Sequence, residues 1–303
     1  MTHPRFVVTG ASGLIGSHLV AALVARGAEV IRLVRRSPLP EANEILWQPE
    51  AGTLDSAALA GATAVVHLAG VSLTGGPWTP GRRQAILQSR VRSTRLLAQT
   101  LAGLPPPRPA LISASAIGYY GDAGTEPVTE DSAPGSGFLA GVCQAWEAAA
   151  DAARQAGVRV VHLRFGVVLS RDGGALPRFV APTRLGLGAV LGSGRQVMSW
   201  VAMADAIGAI LHCLDTPSLQ GPVNVTAPEV VTNAEFMRAL GQVLHRPVML
   251  RVPGTFLELA MGDLARELLL SSAHVVPRKL PESGYQFRFP TLREALQAEL
   301  GAR

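Results

Sequence analysis

Short apolar runs alternate with longer stretches of helical periodicity over the first 170 residues of the chain. Apolar residues spaced three and four apart predict helices, and compact apolar runs predict strands. The predicted strands are 5–9, 29–34, 63–69, 109–114 and 158–163, and the predicted helices are 14–26, 81–102 and 138–156. Strands that alternate with helices of this length are typical of βαβ units. The pattern therefore predicts an α/β fold, a Rossmann doubly wound parallel sheet.

The regular alternation ends near residue 170, where a stretch rich in glycine and proline begins. A helix over 199–215 and a strand over 221–225 are expected to return to the first domain. We therefore predict a nucleotide-binding Rossmann domain over 1–170, with 197–226 returning to it. Segments 171–196 and 227–303 are expected to form a smaller, mostly helical C-terminal lobe.

The turn after the first predicted strand carries three glycines at the spacing of a phosphate-binding loop. Gly10 permits a tight turn, Gly13 lets the backbone approach a pyrophosphate, and Gly16 lets the helix pack closely on the sheet. The N–H groups at the helix start then face the anion. The residues predicted to line this phosphate site are Gly10, Ser12, Gly13, Leu14, Ile15 and Gly16.

The end of the second predicted strand distinguishes NADP from NAD. An NAD enzyme places Asp or Glu there to hold the ribose 2′-hydroxyl. This chain has Arg35 and Arg36 directly after Val34, and the first carboxylate after the strand is Glu41. Two guanidinium groups suit a 2′-phosphate, and NADP is therefore the predicted cofactor.

Composition narrows the functional classes further. The net charge is +5, but no basic run exceeds two residues, so a basic surface with contacts to an anionic cofactor is favoured over nucleic-acid binding. No run of about 18 or more apolar residues predicts a membrane span. The two cysteines, Cys143 and Cys213, lie far apart, which favours a reducing compartment and predicts no metal site. With no recognisable leader, a cytoplasmic location is expected.

The TGxxGxxG spacing of the turn resembles that of extended short-chain dehydrogenases/reductases. The stretches GYYG, FLAxVCxxWE, Gly192-Ser193-Gly194-Arg195-Gln196 and Val276-Pro277-Arg278-Lys279-Leu280 resemble one atypical group of that superfamily, the YfcH-like "epimerase family proteins" with a C-terminal domain of unknown function. The resemblance covers essentially the whole chain. It implies that Leu68, Ala69 and Gly70, which follow a strand, pass beside the cofactor.

The same resemblance shows that the catalytic tetrad is degenerate. The family uses Asn, Ser and a YxxxK pair, whereas here Leu139 stands at the tyrosine position, Cys143 at the lysine position and Arg90 at the asparagine position. The one lysine of the chain is Lys279. The remaining catalytic candidates are Arg90, Ser115, Tyr119 and Tyr120, and the sequence does not choose between the two tyrosines.

On the substrate side, position in the family points to Arg195, Gln196 and Trp200, whereas Asp205 and Arg164 are expected to be structural. The sequence favours an NADP-dependent oxidoreductase or nucleotide-sugar-type epimerase acting on a small molecule. A non-catalytic NADP(H) sensor is the alternative, because the tetrad is degenerate. Either protein would be a monomer or a homodimer, with neither nucleic acid nor membrane as a partner.

Overall fold

A computed structural model describes residues 3–39 and 41–301. The strands are β1 Arg5–Thr9, β2 Glu29–Val34, β3 Glu44–Gln48, β4 Thr53–Leu54, β5 Ala64–His67, β6 Ala110–Ala116, β7 Pro127–Val128, β8 Val160–Phe165, β9 Val167–Ser170, β10 Gly173–Gly174, β11 Ala189–Leu191, β12 Val197–Met198, β13 Trp200–Ala202, β14 Gly221–Val225, β15 Val231–Thr232, β16 Leu250–Val252 and β17 His274–Val275. The α-helices are α1 Leu14–Ala25, α2 Pro80–Gly103, α3 Phe138–Ala148, α4 Asp151–Gln155, α5 Leu176–Arg184, α6 Met203–Asp215, α7 Asn233–Leu244, α8 Gly254–Met261, α9 Asp263–Ala265, α10 Lys279–Glu282 and α11 Leu292–Leu300. A π-helical turn spans Arg266–Leu270, and short 3-10 helices span Ser56–Ala58 and Ile117–Tyr120.

The largest sheet has eight strands in the order β14-β8-β6-β5-β1-β2-β3-β4. Strands β6, β5, β1, β2 and β3 run parallel, and β4 pairs antiparallel with β3 at one edge. Strands β1 and β5, which are neighbours in the sheet, are not consecutive in the chain, and helices α1 and α2 lie between β1 and β2 and between β5 and β6. This is the predicted Rossmann arrangement, and the helical C-terminal part is confirmed with it.

Contacts divide the chain into two compact units. The first unit comprises Met1–Ser115, Val142–Leu163 and Ile210–Pro222, and the second comprises Ala116–Gly141, Arg164–Ala209 and Val223–Arg303. Of the residues predicted from sequence for the nucleotide-binding domain, 116–141, 164–170, 197–209 and 223–226 belong by their contacts to the second unit.

The core of the first unit lies where α2 and α4 cover the sheet. Leu97 and Leu101 of α2 and Ala153 of α4 pack with Val7 of β1 and Val65 of β5, and all five are fully buried. A buried apolar side chain of this size stabilises the fold by about 1.5–3 kcal/mol.

The second unit has its own core and only short strands. Trp200 of β13, Phe236 of α7 and Leu296 of α11 are fully buried in it. Helix α7 begins with a capping box, in which Thr232 and Glu235 satisfy each other's backbone N–H groups. Buried Asp205 accepts hydrogen bonds from the Tyr285 hydroxyl and from two backbone N–H groups at 288 and 289, which fits its expected structural role.

Three local predictions need correction. The helix expected over 199–215 begins at Met203, because Trp200–Ala202 forms a strand that pairs with β9. The helix expected over 138–156 is two helices, α3 and α4. Strands β3 and β4 were missed. Along the described ranges, none of the helices has both the length and the apolar character that a membrane crossing requires.

Candidate functional site

The turn between β1 and α1 is shaped by close backbone contacts. Gly10 has φ +67°, and a Cβ there would lie 2.8 Å from the Ala69 nitrogen. A Cβ on Gly16 would overlap the Gly10 carbonyl oxygen. The Gly13 N–H donates to that same oxygen over 2.9 Å. The positions at 10 and 16 therefore require glycine.

Helix α1 begins directly after this turn with an uncapped N-terminus. Gly13 is the N-cap residue and offers no side-chain acceptor, and the first turn contains no acidic residue. Ser12 and Gly13 are exposed. The first N–H groups of a helix have no partner within it, and together with the helix dipole they favour an anion. The turn therefore fits the pyrophosphate of a dinucleotide.

A buried hydrogen-bond network lies behind the turn. The Thr9 hydroxyl is 2.6 Å from Nδ1 of His67, and Nε2 of His67 is 3.0 Å from the Ser93 hydroxyl. The Thr9 oxygen also accepts the backbone N–H groups of Leu68 and Ala69, at 3.2 and 3.3 Å. Because the Thr9 oxygen already accepts two N–H groups, the Thr9 hydroxyl donates its proton to Nδ1 of His67. The ring proton of His67 is then on Nε2, which donates to the Ser93 hydroxyl oxygen.

His67 is fully buried and neutral in this network. Burial, together with the positive charge of Arg90, lowers the pKa of His67 to about 3. Through Thr9, the network fixes Leu68 and Ala69, two of the residues expected beside the cofactor. Sequence reasoning missed this role of His67, although its place at the end of β5, directly before Leu68, was a usable signal.

Two arginines follow β2, as predicted, but their surroundings differ. The Arg36 guanidinium donates to the Glu44 carboxylate over 2.7 Å and to the Ser37 carbonyl oxygen over 2.8 Å. Arg35 lies 3.9 Å from Glu50, and both of these side chains are 63% exposed. The Leu39 N–H, as the main cause, and the Arg36 guanidinium lower the pKa of Glu44.

Arg90 lies on α2, behind the segment that follows β5. Its guanidinium donates to the Val71 and Ile86 carbonyl oxygens, both over 3.0 Å, and stacks over the Trp146 ring at 5.0 Å. A Cβ on Gly70 would lie 3.3 Å from the Arg90 Cζ atom. Burial lowers the pKa of Arg90. Within the described part of the chain, Arg90 forms no salt bridge with a carboxylate.

The side chains that the sequence resemblance places at the YxxxK positions are not accessible at the surface. Leu139 and Cys143 are both buried. The Glu267 carboxylate accepts the backbone N–H groups of Phe138 and Leu139 and thus caps α3. The Ser115 hydroxyl, also buried, donates to the Glu147 carboxylate over 2.7 Å, an arrangement that suits support of α3 more than contact with a substrate.

The second unit holds both candidate tyrosines, and its geometry separates them. Tyr120 is buried; its hydroxyl donates to Asn224 over 2.7 Å and accepts from Arg164 over 2.9 Å. Burial raises the pKa of Tyr120, although Arg164 opposes this effect. Tyr119 is half-buried and lies with its ring 3.5 Å from the Arg164 guanidinium. Among residues 3–39 and 41–301, no side chain or backbone group bonds to the Tyr119 hydroxyl.

The three residues expected on the substrate side have different environments. Trp200 is fully buried in the core of the second unit, so the expectation of a substrate contact is corrected to a packing role. Gln196 is buried and donates to the Leu191 and Leu269 carbonyl oxygens. Arg195 is exposed. Of these three residues, Arg195 retains a side chain that is accessible to a ligand.

The structure thus groups the candidates in two sets. In the first unit, the glycine turn, the 68–70 segment and Arg90 lie close together, and Arg35 and Arg36 follow β2. In the second unit, Tyr119, Tyr120 and Arg164 form one cluster. Ser115, Gln196 and Trp200 have structural partners instead.

Comparison with protein families gives two matches. Residues 6–226 match the NAD dependent epimerase/dehydratase family, and residues 252–299 match a domain of unknown function, DUF1731.

Individual proteins of similar sequence and structure match this chain over nearly its whole length. The epimerase family protein Mb2239 of Mycobacterium bovis is 43% identical over 296 residues, which cover 98% of this chain and 97% of that protein. The crystal structure of human epimerase family protein SDR39U1 with NADPH superimposes with a TM-score of 0.88 at 34% identity, covering 98% and 99% of the two chains. A nucleoside-diphosphate sugar epimerase of Corynebacterium glutamicum, also 34% identical, superimposes with a TM-score of 0.82 over 99% of this chain and 59% of the other.

Proposed function

Because the chain belongs to the NAD dependent epimerase/dehydratase family, we propose that it binds NADP(H) and uses it for hydride transfer on a small polar substrate. The reaction class is that of an oxidoreductase or a nucleotide-sugar-type epimerase. When bound, the nicotinamide supplies or accepts the hydride. The residues of the chain bind the phosphates, hold the ribose and move the proton.

The main support for this proposal is the glycine turn between β1 and α1, together with the two arginines that follow β2. The turn leaves the uncapped N-terminus of α1 open to a pyrophosphate. Arg35 and Arg36 follow β2, where a dinucleotide places the 2′ position of its adenosine ribose. The human relative that was crystallised with NADPH supports the choice of NADP(H).

A calorimetric titration of the protein with NADPH and with NADH tests the cofactor. We expect NADPH to bind at least about 10-fold more tightly, because a charge-assisted hydrogen bond to a phosphate contributes about 1.5–3 kcal/mol. Equal affinities for the two cofactors would contradict the proposal.

We assign the proton transfer to Tyr119. Its hydroxyl has no partner in the part of the chain that the structure describes, and Arg164 holds its ring in place. In a reduction, hydride would reach the carbonyl carbon of the substrate, and the Tyr119 hydroxyl would give its proton to the carbonyl oxygen. Tyr120 is less suited to this role, because both of its hydrogen-bonding positions are taken and burial raises its pKa.

Arg90 and Arg195 are the candidates for binding the substrate. Arg90 is a buried cation with no acidic partner among the described residues, and Arg195 is exposed. Both favour an anionic or polyhydroxylated substrate. A screen of NADPH oxidation with sugar, keto and quinone substrates tests for turnover. Arg195→Ala should then abolish turnover or substrate binding while NADPH affinity stays unchanged.

A specific observation favours a second function, that of an NADP(H) sensor without catalysis. Leu139 and Cys143 stand at the YxxxK positions, and neither provides the tyrosine hydroxyl or the lysine ammonium that the family mechanism uses. A sensor requires NADP⁺ and NADPH to stabilise different conformations, since a ligand shifts an equilibrium only by its differential affinity. Small-angle scattering with each redox form tests this. A redox-dependent shape change, with no turnover in any substrate class, would favour the sensor over the enzyme.

A further inference from the structure

The two arginines after β2 are not equivalent, because a carboxylate already binds one of them. Glu44 begins β3, and its Oε1 atom lies 2.7 Å from the Arg36 guanidinium. Its Oε2 atom accepts the Leu39 N–H over 2.9 Å. The Glu44 side chain is only 3% exposed, whereas that of Arg36 is 54% exposed. Arg36 therefore covers the Glu44 carboxylate and separates it from the solvent.

A carboxylate in this neighbourhood would normally favour the other cofactor. NAD enzymes hold the ribose 2′-hydroxyl with an acidic side chain near the end of the second strand, and such a side chain repels a 2′-phosphate. In this chain an acid comes from the neighbouring strand. Glu44 is paired in register with Arg32, two residues before the last residue of β2, and the Arg36 side chain, which follows β2, reaches its carboxylate. Its position in the sequence does not identify Glu44 as such an acid, because Glu44 lies beyond the residues that directly follow β2.

We propose that Glu44 is a covered NAD-type carboxylate, that Arg36 sets the preference for NADP(H) by masking it, and that Arg35 is the direct partner of the 2′-phosphate. The proposal rests on the proposed function, in that it requires NADP(H) to bind with its adenosine ribose at this edge of the sheet. Arg35 suits the direct contact because its nearest carboxylate, on Glu50, is 3.9 Å away and as exposed as Arg35 itself. The Glu44 carboxylate stays ionised under its cover, since the Leu39 N–H and Arg36 lower its pKa and Arg32 adds to the effect.

Four proteins test this division of roles: the wild type, Arg35→Ala, Arg36→Ala and the double variant Arg36→Ala/Glu44→Gln. Each is titrated with NADPH and with NADH by calorimetry. Arg35→Ala should weaken NADPH binding about 10- to 100-fold and leave NADH unchanged, as for the loss of a charge-assisted hydrogen bond. Arg36→Ala should weaken NADPH binding at least as much and strengthen NADH binding several-fold, because the uncovered carboxylate repels the phosphate and accepts the 2′-hydroxyl.

The double variant separates masking from direct contact. If Arg36 acts by masking, Glu44→Gln in the Arg36→Ala background should restore part of the NADPH affinity and return NADH binding to the wild-type level. If both affinities of the double variant equal those of Arg36→Ala, the proposal is overturned.

Thermal unfolding without cofactor gives a readout that is independent of binding. Arg36→Ala should lower the Tm by a small amount, because it removes the cation that pairs with the Glu44 carboxylate, and the added Glu44→Gln should raise it again by removing the unpaired charge. A Tm that stays low in the double variant counts against the masking pair.

The outcomes also separate this inference from the proposed function. A wild type that binds neither cofactor would overturn both. A wild type that prefers NADPH, with no reversal in the double variant, would overturn the masking role alone.

Discussion

The turn between β1 and α1 is shaped by backbone atoms, whereas the surroundings of Tyr119 and Tyr120 are shaped by side chains. At Gly10 and Gly16 the close neighbours are main-chain atoms of the turn and of the 68–70 segment. Around the tyrosines the neighbours are the Arg164 guanidinium and the Asn224 amide. A site that recognises phosphate through main-chain N–H groups tolerates many changes of neighbouring side chains. A site that moves a proton depends on the identity of each side chain.

This difference fits the expectation from sequence that the chain keeps a glycine turn for phosphate while Leu139 and Cys143 stand at the YxxxK positions. Both of these side chains are buried in α3, and the Glu267 carboxylate caps the start of that helix. The side chains at these two positions can therefore differ from the family's while the backbone contacts of the turn still suit a dinucleotide. The predictions below test each side of this contrast.

Gly16→Ala should have the largest effect. Its Cβ would overlap the Gly10 carbonyl oxygen, a backbone atom that cannot move without opening the turn. We expect NADPH affinity to fall by more than about 100-fold and the free energy of unfolding to fall by about 3 kcal/mol, the upper part of the range for overpacking. Gly103→Ala at the end of α2, where a Cβ meets nothing within 4 Å, is the matched control. Normal NADPH binding by Gly16→Ala would show that the turn does not depend on backbone contact.

The second prediction concerns His67, the side chain that supports the turn from behind. Its pKa of about 3 in the folded protein lies below its ordinary value of 6.5, so the unfolded chain binds a proton that the folded chain does not. The stability contributed by neutral His67 is complete above pH 6.5 and is lost as the pH falls towards 3. We expect the loss to reach a few kcal/mol, since each unit of pKa shift corresponds to about 1.4 kcal/mol.

Urea unfolding at a series of pH values measures this contribution. Between pH 6.5 and 3, the wild type should lose stability more steeply than His67→Gln, which cannot take up the proton. Parallel curves for the two proteins would mean that the pKa of His67 is not lowered in the folded protein. That result would contradict a neutral His67 between Thr9 and Ser93.

How far the sequence predicts each region follows from the same contrast. The glycine spacing predicted the turn, because a position in close contact with other backbone atoms requires glycine. The apolar alternation likewise predicted β1, β2 and α1. Strand β4 was missed because it has only two residues, and β3 because it is largely exposed: Leu46 is 41% exposed and only Trp47 is buried.

The partners of individual side chains were not predictable from one sequence. Nothing in the spacing indicates that Glu44 binds Arg36 or that Arg164 contacts both tyrosines, because these pairs form only when separate strands and loops meet. Trp200 followed a substrate-side motif in sequence but lies in the core of the second unit. Whether the Trp200 side chain is buried depends on the tertiary packing, and the sequence motif around it contains no information about that packing.

The third prediction concerns Tyr119 and Tyr120. It tests whether the side-chain hydrogen bonds around them contribute to stability. Tyr120→Phe removes the hydroxyl that links Asn224 and Arg164, and it leaves both buried groups without this partner. It should lower the free energy of unfolding by about 1–3 kcal/mol. Tyr119→Phe should change stability by less than about 0.5 kcal/mol, because its hydroxyl has no partner in the described chain.

Denaturant unfolding of both variants measures these differences, and the same proteins separate structure from chemistry in a turnover assay. Tyr119→Phe should lose turnover while remaining stable. A reversed order, with Tyr119→Phe unstable and Tyr120→Phe stable, would contradict the assignment of the two hydroxyl groups.

A small, stabilising effect is expected at Gly141, a glycine in α3 that no close contact requires. A Cβ there meets nothing within 4 Å, and the residue is exposed inside the helix. Alanine is favoured over glycine within a helix by about 0.5–1 kcal/mol, since glycine loses more backbone entropy on folding. Gly141→Ala should therefore raise the free energy of unfolding by that amount and leave NADPH affinity unchanged. Thermal unfolding and calorimetry check both values. A loss of stability would mean that glycine is needed at this position too, and the distinction between the strictly constrained phosphate turn and the tolerant start of α3 would no longer hold.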